Sequence, residues 1–551
     1  MNTRDYLEGL SFDGYKFFGA HKKDKGYIFR LLAKEASEVY IIGDFNNWQR
    51  QAMRKYPTGV FSISIEDAKA GQKYQYIIKN SDKEFKKIDP YSKMIDYKEK
   101  SSVLVDDDYK FKSKRKKATN RNILQLHLAT LFKNKDMTSD EIFDSIIEHC
   151  LANNYTSVLL MPVNEYQNYK SMGYSAMNLF SYSERYASGL DFKKFIDKAH
   201  KNNIELFLEV DIGGFDPDEN GLLRFDGSNM YNYDYEDIVY NYYGSINYDL
   251  SKNFTKSYIQ SAIGYWVNEY KLDGILLSSV ENSLYWQGDK TRGINKNNIA
   301  FIENLISYLK AKDILILASF NGTYDLDLSF DMVFDNRSKT LINMLKDQAI
   351  KRDYYKNFIN DIIVNDRKDR VLGFSYVDSY QNEANLAMKM HTDDKKFEQE
   401  KVLFTFLYSL KSPKLLFMGD DCGDLRTYSI YNKFTFDSYE NNLKDINKYY
   451  RDISKVFMKE KALNSKDSLT QYLDIGGFSL YAYKRIYKDE QLLVIINFTD
   501  IDYEIRSDYS LEEIINTESR EYKGSANVNG LVNIGEMINI KGFSAAIFKI
   551  K

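Results

Sequence analysis

The sequence holds two cysteines, Cys150 and Cys422, in 551 residues. Far apart in the chain, they give no disulfide framework, and a cytoplasmic compartment is the simplest expectation. No apolar run approaches the ~18 residues that span a bilayer. The opening MNTRDYLEGL has no apolar signal core, and no lipidation motif is present, so no membrane partner is expected. A formal net charge of −3 argues against nucleic acid or a strongly acidic partner. The five histidines, His21, His127, His149, His200 and His391, give no zinc-ligand spacing. There is no EF-hand-like loop, and no phosphate loop or dinucleotide fingerprint in a strand-turn-helix context. The expectation is no metal and no cofactor.

What is abundant is aromatic. Phe, Trp and Tyr make up 15% of the chain, with 46 tyrosines. Two readings stay open: base composition of the source genome, which richness in Asn, Lys and Ile also suggests, or stacking surfaces for sugar rings. At 43% apolar and 28% charged the composition is that of an ordinary globular protein, and the length suits about three domains.

Residues 1–112 read as all-β. The run Glu38–Ile42 alternates and leads into a turn-rich GDFNNW (Gly43–Trp48), and GVFSISI (Gly59–Ile65) and KYQYIIK (Lys73–Lys79) share the period of two. Short, evenly spaced strands of this kind predict a sandwich. Residues 106–121 (DDDYKFKSKRKKATNR) form a charge-dense linker whose basic run reads as a solvated face. Across 113–462 strands and helices alternate: ILQLHL (Ile123–Leu128), SVLLMPV (Ser157–Val163), IELFLEV (Ile204–Val210), DGILLSSV (Asp273–Val280), DILILASF (Asp313–Phe320) and KLLFMGDD (Lys414–Asp421). This predicts βα units and a (β/α)8 TIM barrel with a site at the carboxyl ends of its strands. Residues 463–551 return to alternation in GGFSLYAYKRI, QLLVIINF and GFSAAIFKIK. The expected architecture is multidomain α/β, a barrel flanked by an N-terminal β-sandwich and a C-terminal antiparallel β domain.

Several long strings resemble the glycogen branching enzymes of the α-amylase superfamily. These are LLMPVNEY (Leu159–Tyr166), Gly173–Ile204, NGLLRFDGSNMY (Asn220–Tyr231), Ile246–Gly274, KLLFMGDDCG (Lys414–Gly423) and EIINTESREYKGS (Glu513–Ser525). The resemblance covers nearly the whole chain in the family's order. It implies that 1–112 is a glycogen-binding module, with Trp48 of GDFNNW as one sugar platform and Phe85 near the place of the second. For Trp48 a structural turn role stays equally open. Tyr174, at the family's Gly-Tyr position, is expected to floor the reacting subsite or simply to pack in the core. Tyr285 and Trp286 are further carbohydrate-binding candidates.

Family members are retaining catalysts, with two carboxyls about 5–5.5 Å apart acting as nucleophile and acid/base, a third Asp, an Arg that keeps the nucleophile ionised, and two sugar-binding His. The resemblance puts Ser278 at the nucleophile, Leu276 at the Arg, Ser319 at the acid/base, Tyr376 and Val377 at the His-Asp pair, and Gly214 at the other His. A serine without a base is not an activated nucleophile. The expectation is therefore a pseudoenzyme that binds α-glucan, such as glycogen, or a protein partner in glycogen metabolism. Two alternatives stay open: an active branching enzyme with carboxylates re-sited among Glu209, Asp211, Glu281 and Asp378, and a scaffold with no glucan affinity. The apolar replacements Leu276 and Val377 further predict a partly closed barrel mouth.

Overall fold

The computed structural model describes residues 3–278, 280–319, 326, 328–380, 384–392, 394–436 and 444–551, with the backbone alone for Ser319, Ser379 and Tyr380. Eight parallel strands close into a barrel in chain order. They are β1 (Asn122–Leu126), β2 (Ser157–Leu160), β3 (Glu205–Asp211), β4 (Gly274–Ser278), β5 (Leu315–Ser319), β6 (Met332–Phe334), β7 (Arg370–Gly373) and β8 (Lys414–Phe417). The chain divides into two compact units, one of residues 1–115, 127–141 and 160–331, the other of 116–126, 142–159 and 332–551.

The first unit begins with the β-sandwich that its alternation predicts. One sheet is built from Gly19–Lys22, Tyr27–Leu32, Val60–Ile65 and Arg54–Lys55; the other centres on Glu38–Gly43 and Lys73–Asn80, with Lys83–Lys87 added beside the latter. Inward residues such as Phe29, Ile41, Tyr76 and Ile78 are fully buried. Tyr74 and Tyr76 donate their hydroxyls to Asp89 Oδ2 at 2.8 and 3.1 Å. Burial pushes that carboxyl up to about 6, against the pull of these bonds and of the Tyr91 N–H.

Helix Asn253–Glu269 is buried almost all round, so it lacks the polar stripe of a surface helix. The reason lies in the N-terminal segment, which packs on it. Gly14 N donates to Ser261 Oγ at 2.9 Å, and a Cβ on Gly264 would meet the Phe12 carbonyl at 2.3 Å. Past the ends of the helices before β3, β4 and β5 the chain passes through a left-handed residue, Asn203, Lys271 or Asp313, the usual way to stop a helix and turn it into the next strand. Arg115, from the basic run expected to be solvated, is instead put to use: its guanidinium donates to the carbonyls of Leu272, Lys312 and Asp313 at 3.0–3.2 Å. Asp273, the first residue of DGILLSSV, accepts from Leu206 N at 2.8 Å and pairs with His200 at 2.9 Å, so its role is to seat the strand.

In the second unit, a six-stranded antiparallel sheet runs in the order Leu469–Leu473, Leu480–Tyr487, Glu490–Asn497, Ala545–Ile550, Leu511–Asn516 and Leu531–Val532, around a core of Leu480, Leu493, Ile495 and Phe548. Buried cations tie it to the preceding helices. Lys401 donates to the carbonyls of Thr517 and Tyr522, and Arg352 donates to that of Phe498. No helix among the described residues is long and apolar enough to cross a membrane.

Candidate functional site

The register of β3, β4 and β5 builds the site. Glu209 pairs with Leu276 and Leu276 with Leu317; one step nearer the carboxyl ends, Asp211 pairs with Ser278 and Ser278 with Ser319. Side chains alternate along a strand, so Glu209, Asp211, Leu276 and Ser278 share one face of the sheet. Leu276 is 1% exposed and Ser278 3%. The Ser278 hydroxyl donates to the carbonyl of Val210 at 3.4 Å. Its proton therefore goes to a backbone oxygen, not to a base. The side chain of Ser319, and the acidic Asp325 beyond it, lie outside the described residues.

Two carboxyls from this region interact. Asp211 is half-buried, and its carboxyl is pushed up to about 7, first by burial and further by the Glu281 carboxyl, against the Gly213 N–H, which donates to Oδ1 at 2.8 Å. Glu281, in the helix Val280–Leu284, is also raised by burial, and its Oε2 is buried without a hydrogen-bond partner. Tyr243 feels both charges. Glu209 Oε1 accepts the hydroxyl of the half-buried Tyr174 at 2.9 Å.

A small recess of about 20 Å³ is lined in part by the chain neighbours of Asp211 and Glu281. Gly213, Tyr233, Asn282, Tyr285, Trp286 and Asn298 are among its walls, and no charged side chain lines it. The structure thereby brings Tyr285 and Trp286 together at one concave surface. Ser278 and Leu276 are not part of that surface.

Trp48 and Phe85 are not brought together. In Lys83–Lys87 the Lys86 ammonium sits 5.9 Å from the Trp48 ring centre, while Phe85 turns to the other face, against the site of Gly227. The two-aromatic platform expected from the resemblance is thus not formed by this pair: strand parity gives Lys86, not Phe85, to the Trp48 face. Trp48 itself is half-buried, has φ of 60° and donates its indole N–H to Asp44 Oδ1 at 2.9 Å. A bulky residue in the left-handed region is a backbone outlier.

Residues 17–92 match Carbohydrate-binding module 48 (Isoamylase N-terminal domain). Over 93% of its length the chain is 26% identical to the 1,4-alpha-glucan branching enzyme GlgB of Fusobacterium nucleatum, covering 90% of that protein. It is 28% identical to GlgB 2 of Clostridium perfringens over 95% of the chain and 89% of that enzyme. Over most of its length the chain is thus similar to proteins named as glucan branching enzymes. The fold agrees: the pullulanase of an Anoxybacillus species, complexed with maltotetraose, superposes with a TM-score of 0.79 at 14% identity, covering all of this chain and 89% of that one.

The remaining family positions can be placed within their own units. Gly214 pairs with Asn247 in a short ribbon, and a Cβ there would meet the Ile246 carbonyl at 2.8 Å. A side chain at this position, where the resemblance puts a His, would strike that carbonyl. In the second unit, Tyr376–Tyr380 is a helix after β7. Tyr376 N donates to Gln125 Oε1 at 2.9 Å. Asp378 accepts from Ser375 N at 2.8 Å and Ser375 Oγ at 3.1 Å, a capping arrangement that stabilises the start of that helix. Val377 is 37% exposed, so it does not close the mouth as its apolar character suggested. Of the recess residues, Asn282, Asn295 and Asn298 had proximity in the chain to Tyr285–Trp286 as their only sequence signal, and Tyr233 had none.

Proposed function

We propose that the chain binds α-glucan and does not perform the retaining glycosyl transfer of its relatives. The observation that carries this reading is the Ser278 hydroxyl donated to Val210, beside a buried Leu276 where the family carries an Arg. A retaining nucleophile must be an ionised carboxylate, and a neighbouring cation is what keeps it so. Neither is supplied at this position. The match to a carbohydrate-binding module and the naming of relatives as glucan branching enzymes support glucan as the ligand. Two free, buried cysteines favour a cytoplasmic setting. The test is a long incubation of concentrated protein with amylose, followed by iodine absorbance and reducing ends. No change in either, together with retention on immobilised glycogen, is the expected result; a fall in iodine colour without new reducing ends would mean branching.

One observation favours a second reading. Asp211 and Glu281 interact electrostatically and both hold their protons above the ordinary carboxyl range, and paired carboxyls with shifted protonation mark many acid-base sites. Such a pair can donate a proton. It lacks the cation that would make either member a good nucleophile, since the forces on Asp211 are burial, a backbone N–H and another acid. Activity lost in Asp211→Asn, starting from measurable wild-type turnover, would select this reading.

A further inference from the structure

We propose that the amino-terminal ends of β7 and β8 carry a phosphate-binding site. The ammonium groups of Lys368 and Lys411 grip an inorganic phosphate or the phosphate of a sugar ester. The site owes nothing to the glucan-binding reading.

Its frame is a buried network around Asp366, in the connection between helix Lys356–Val364 and β7. The Asp366 carboxyl accepts from Lys411 N and from Ser412 N, so it fixes the bend that leads into β8. The same carboxyl pairs with Arg485 at 3.2 Å, and both side chains are buried. Arg485 is fully engaged here: its other donors go to the Ala462 carbonyl, Thr470 Oγ1 and Ser468 Oγ. Lys414, the first residue of β8, is buried, and its ammonium is held by the carbonyls of Leu410 and Ser412 and by Ser412 Oγ.

Lys368 and Lys411 differ from these two cations. Each is half-buried, and each ammonium makes one hydrogen bond. Lys368 donates to Asn120 Oδ1 at 2.7 Å and Lys411 to the Ser468 carbonyl at 3.1 Å. An ammonium has three donors, so two on each stay open. Among the described residues none of the three lysines pairs with a carboxylate; the ion pair of Asp366 is with Arg485. Four cations, Lys368, Lys411, Lys414 and Arg485, thus gather around one acid. Burial lowers the Lys368 ammonium to about 8, and Arg121, Lys411 and Arg485 press the same way against Asp366. Like charges held together oppose one another, and an anion joining them relieves the opposition. The ligand's chemistry follows. A neutral sugar would meet the open donors and leave the charge, and a carboxylate would offset one charge with two oxygens. A phosphate dianion offers more of both, and lysine is a usual point-charge partner for it.

The test is calorimetric titration of the full-length protein with inorganic phosphate and with glucose 6-phosphate, at an ionic strength fixed with chloride. Saturable binding is expected, weakened by at least about tenfold in Lys368→Met and in Lys411→Met. It should be retained in Lys368→Arg, which keeps the charge, and in Lys459→Met, an exposed lysine of the same unit. Tighter binding of the ester than of the free ion would support a sugar phosphate as the ligand; equal affinity would support the phosphate group alone. A measurement on the wild type guards against variants that misfold. Phosphate should slow acetylation of Lys368 and Lys411 several-fold relative to Lys459, read by mass spectrometry. No saturable binding of either probe, or binding and acetylation indifferent to these two lysines, would overturn the site.

Discussion

Ser278 donates its hydroxyl to the carbonyl of Val210 on the adjacent strand, and it stands in register with Asp211, whose carboxyl is already pushed up to about 7. Restoring the family residue at this one position therefore works against the present site. Ser278→Asp brings a third acid beside Asp211 and Glu281 without a cation. It is expected to lower the melting temperature more at pH 8 than at pH 5, and to produce no glucan transfer. Ser278→Ala, which loses one long hydrogen bond worth about 1 kcal/mol, is expected to leave glycogen retention unchanged. Branching activity in Ser278→Asp would show that the rest of the machinery had survived.

Trp48 and Phe85 are expected to separate in mutation. Trp48 is held in a left-handed turn by its own indole bond to Asp44, which is strain of the kind found at binding surfaces. Trp48→Ala should weaken retention on glycogen by about tenfold or more with little loss of stability. Phe85 packs towards Gly227, and its neighbour Lys87 donates to the carbonyl of Leu223 at 2.5 Å. Phe85→Ala should destabilise, by about 3–5 kcal/mol if fully packed and less for this half-buried ring, with glycogen retention unchanged in the folded fraction. Affinity electrophoresis and thermal melts read the two effects separately.

Much of this was legible because barrel strands and sandwich strands announce themselves by period. DGILLSSV and IELFLEV are rich in apolar residues on both faces, as strands buried on both sides are, and GVFSISI alternates. What escaped has a physical reason in each case. β6, Met332–Phe334, has three residues, too few for any period to show. The ribbon of Gly214–Phe215 with Ile246–Asn247 joins distant two-residue pieces. The recess gathers Gly213, Asn247, Asn282 and Asn298 by tertiary folding, and no motif links them. Phe85 was misplaced although the signal was present: in KEFKK a period of two separates it from Lys86, and proximity to Asp-Pro outweighed parity.

Glu400 provides a stability test within the second unit. Its side chain is fully buried with neither carboxyl oxygen hydrogen-bonded. Burial first, then the Asp420 and Asp421 carboxyls, raise it far above the ordinary range. The folded chain therefore keeps this proton where the unfolded chain, titrating near 4.3, has released it. Between these values the native state binds more protons, so stability falls as pH rises. Glu400→Gln keeps the shape and removes the titration. The variant should melt higher than wild type at pH 8, by a few degrees, with the gap narrowing towards pH 5. A lower melting temperature at pH 8 would mean that the carboxylate is ionised and satisfied.

Asp211 obeys the same sign over a narrower window, and there it also reports on function. Its unfolded carboxyl titrates near 3.9 and its folded one at about 7. Stability attributable to Asp211 is thus greatest below about pH 4 and declines through neutrality, levelling off above pH 7. Asp211→Asn should be stabilising at pH 8 and close to neutral at pH 4.5. The Glu281 carboxyl, raised by its own burial, should titrate unchanged in that variant. Carboxyl resonances followed by NMR would read the Asp211 shift and the constancy of Glu281 directly. If glucan affinity in the wild type changes with pH through this window and Asp211→Asn abolishes the change, the pair is coupled to glucan binding. A flat profile in both proteins would confine Asp211 and Glu281 to a structural role.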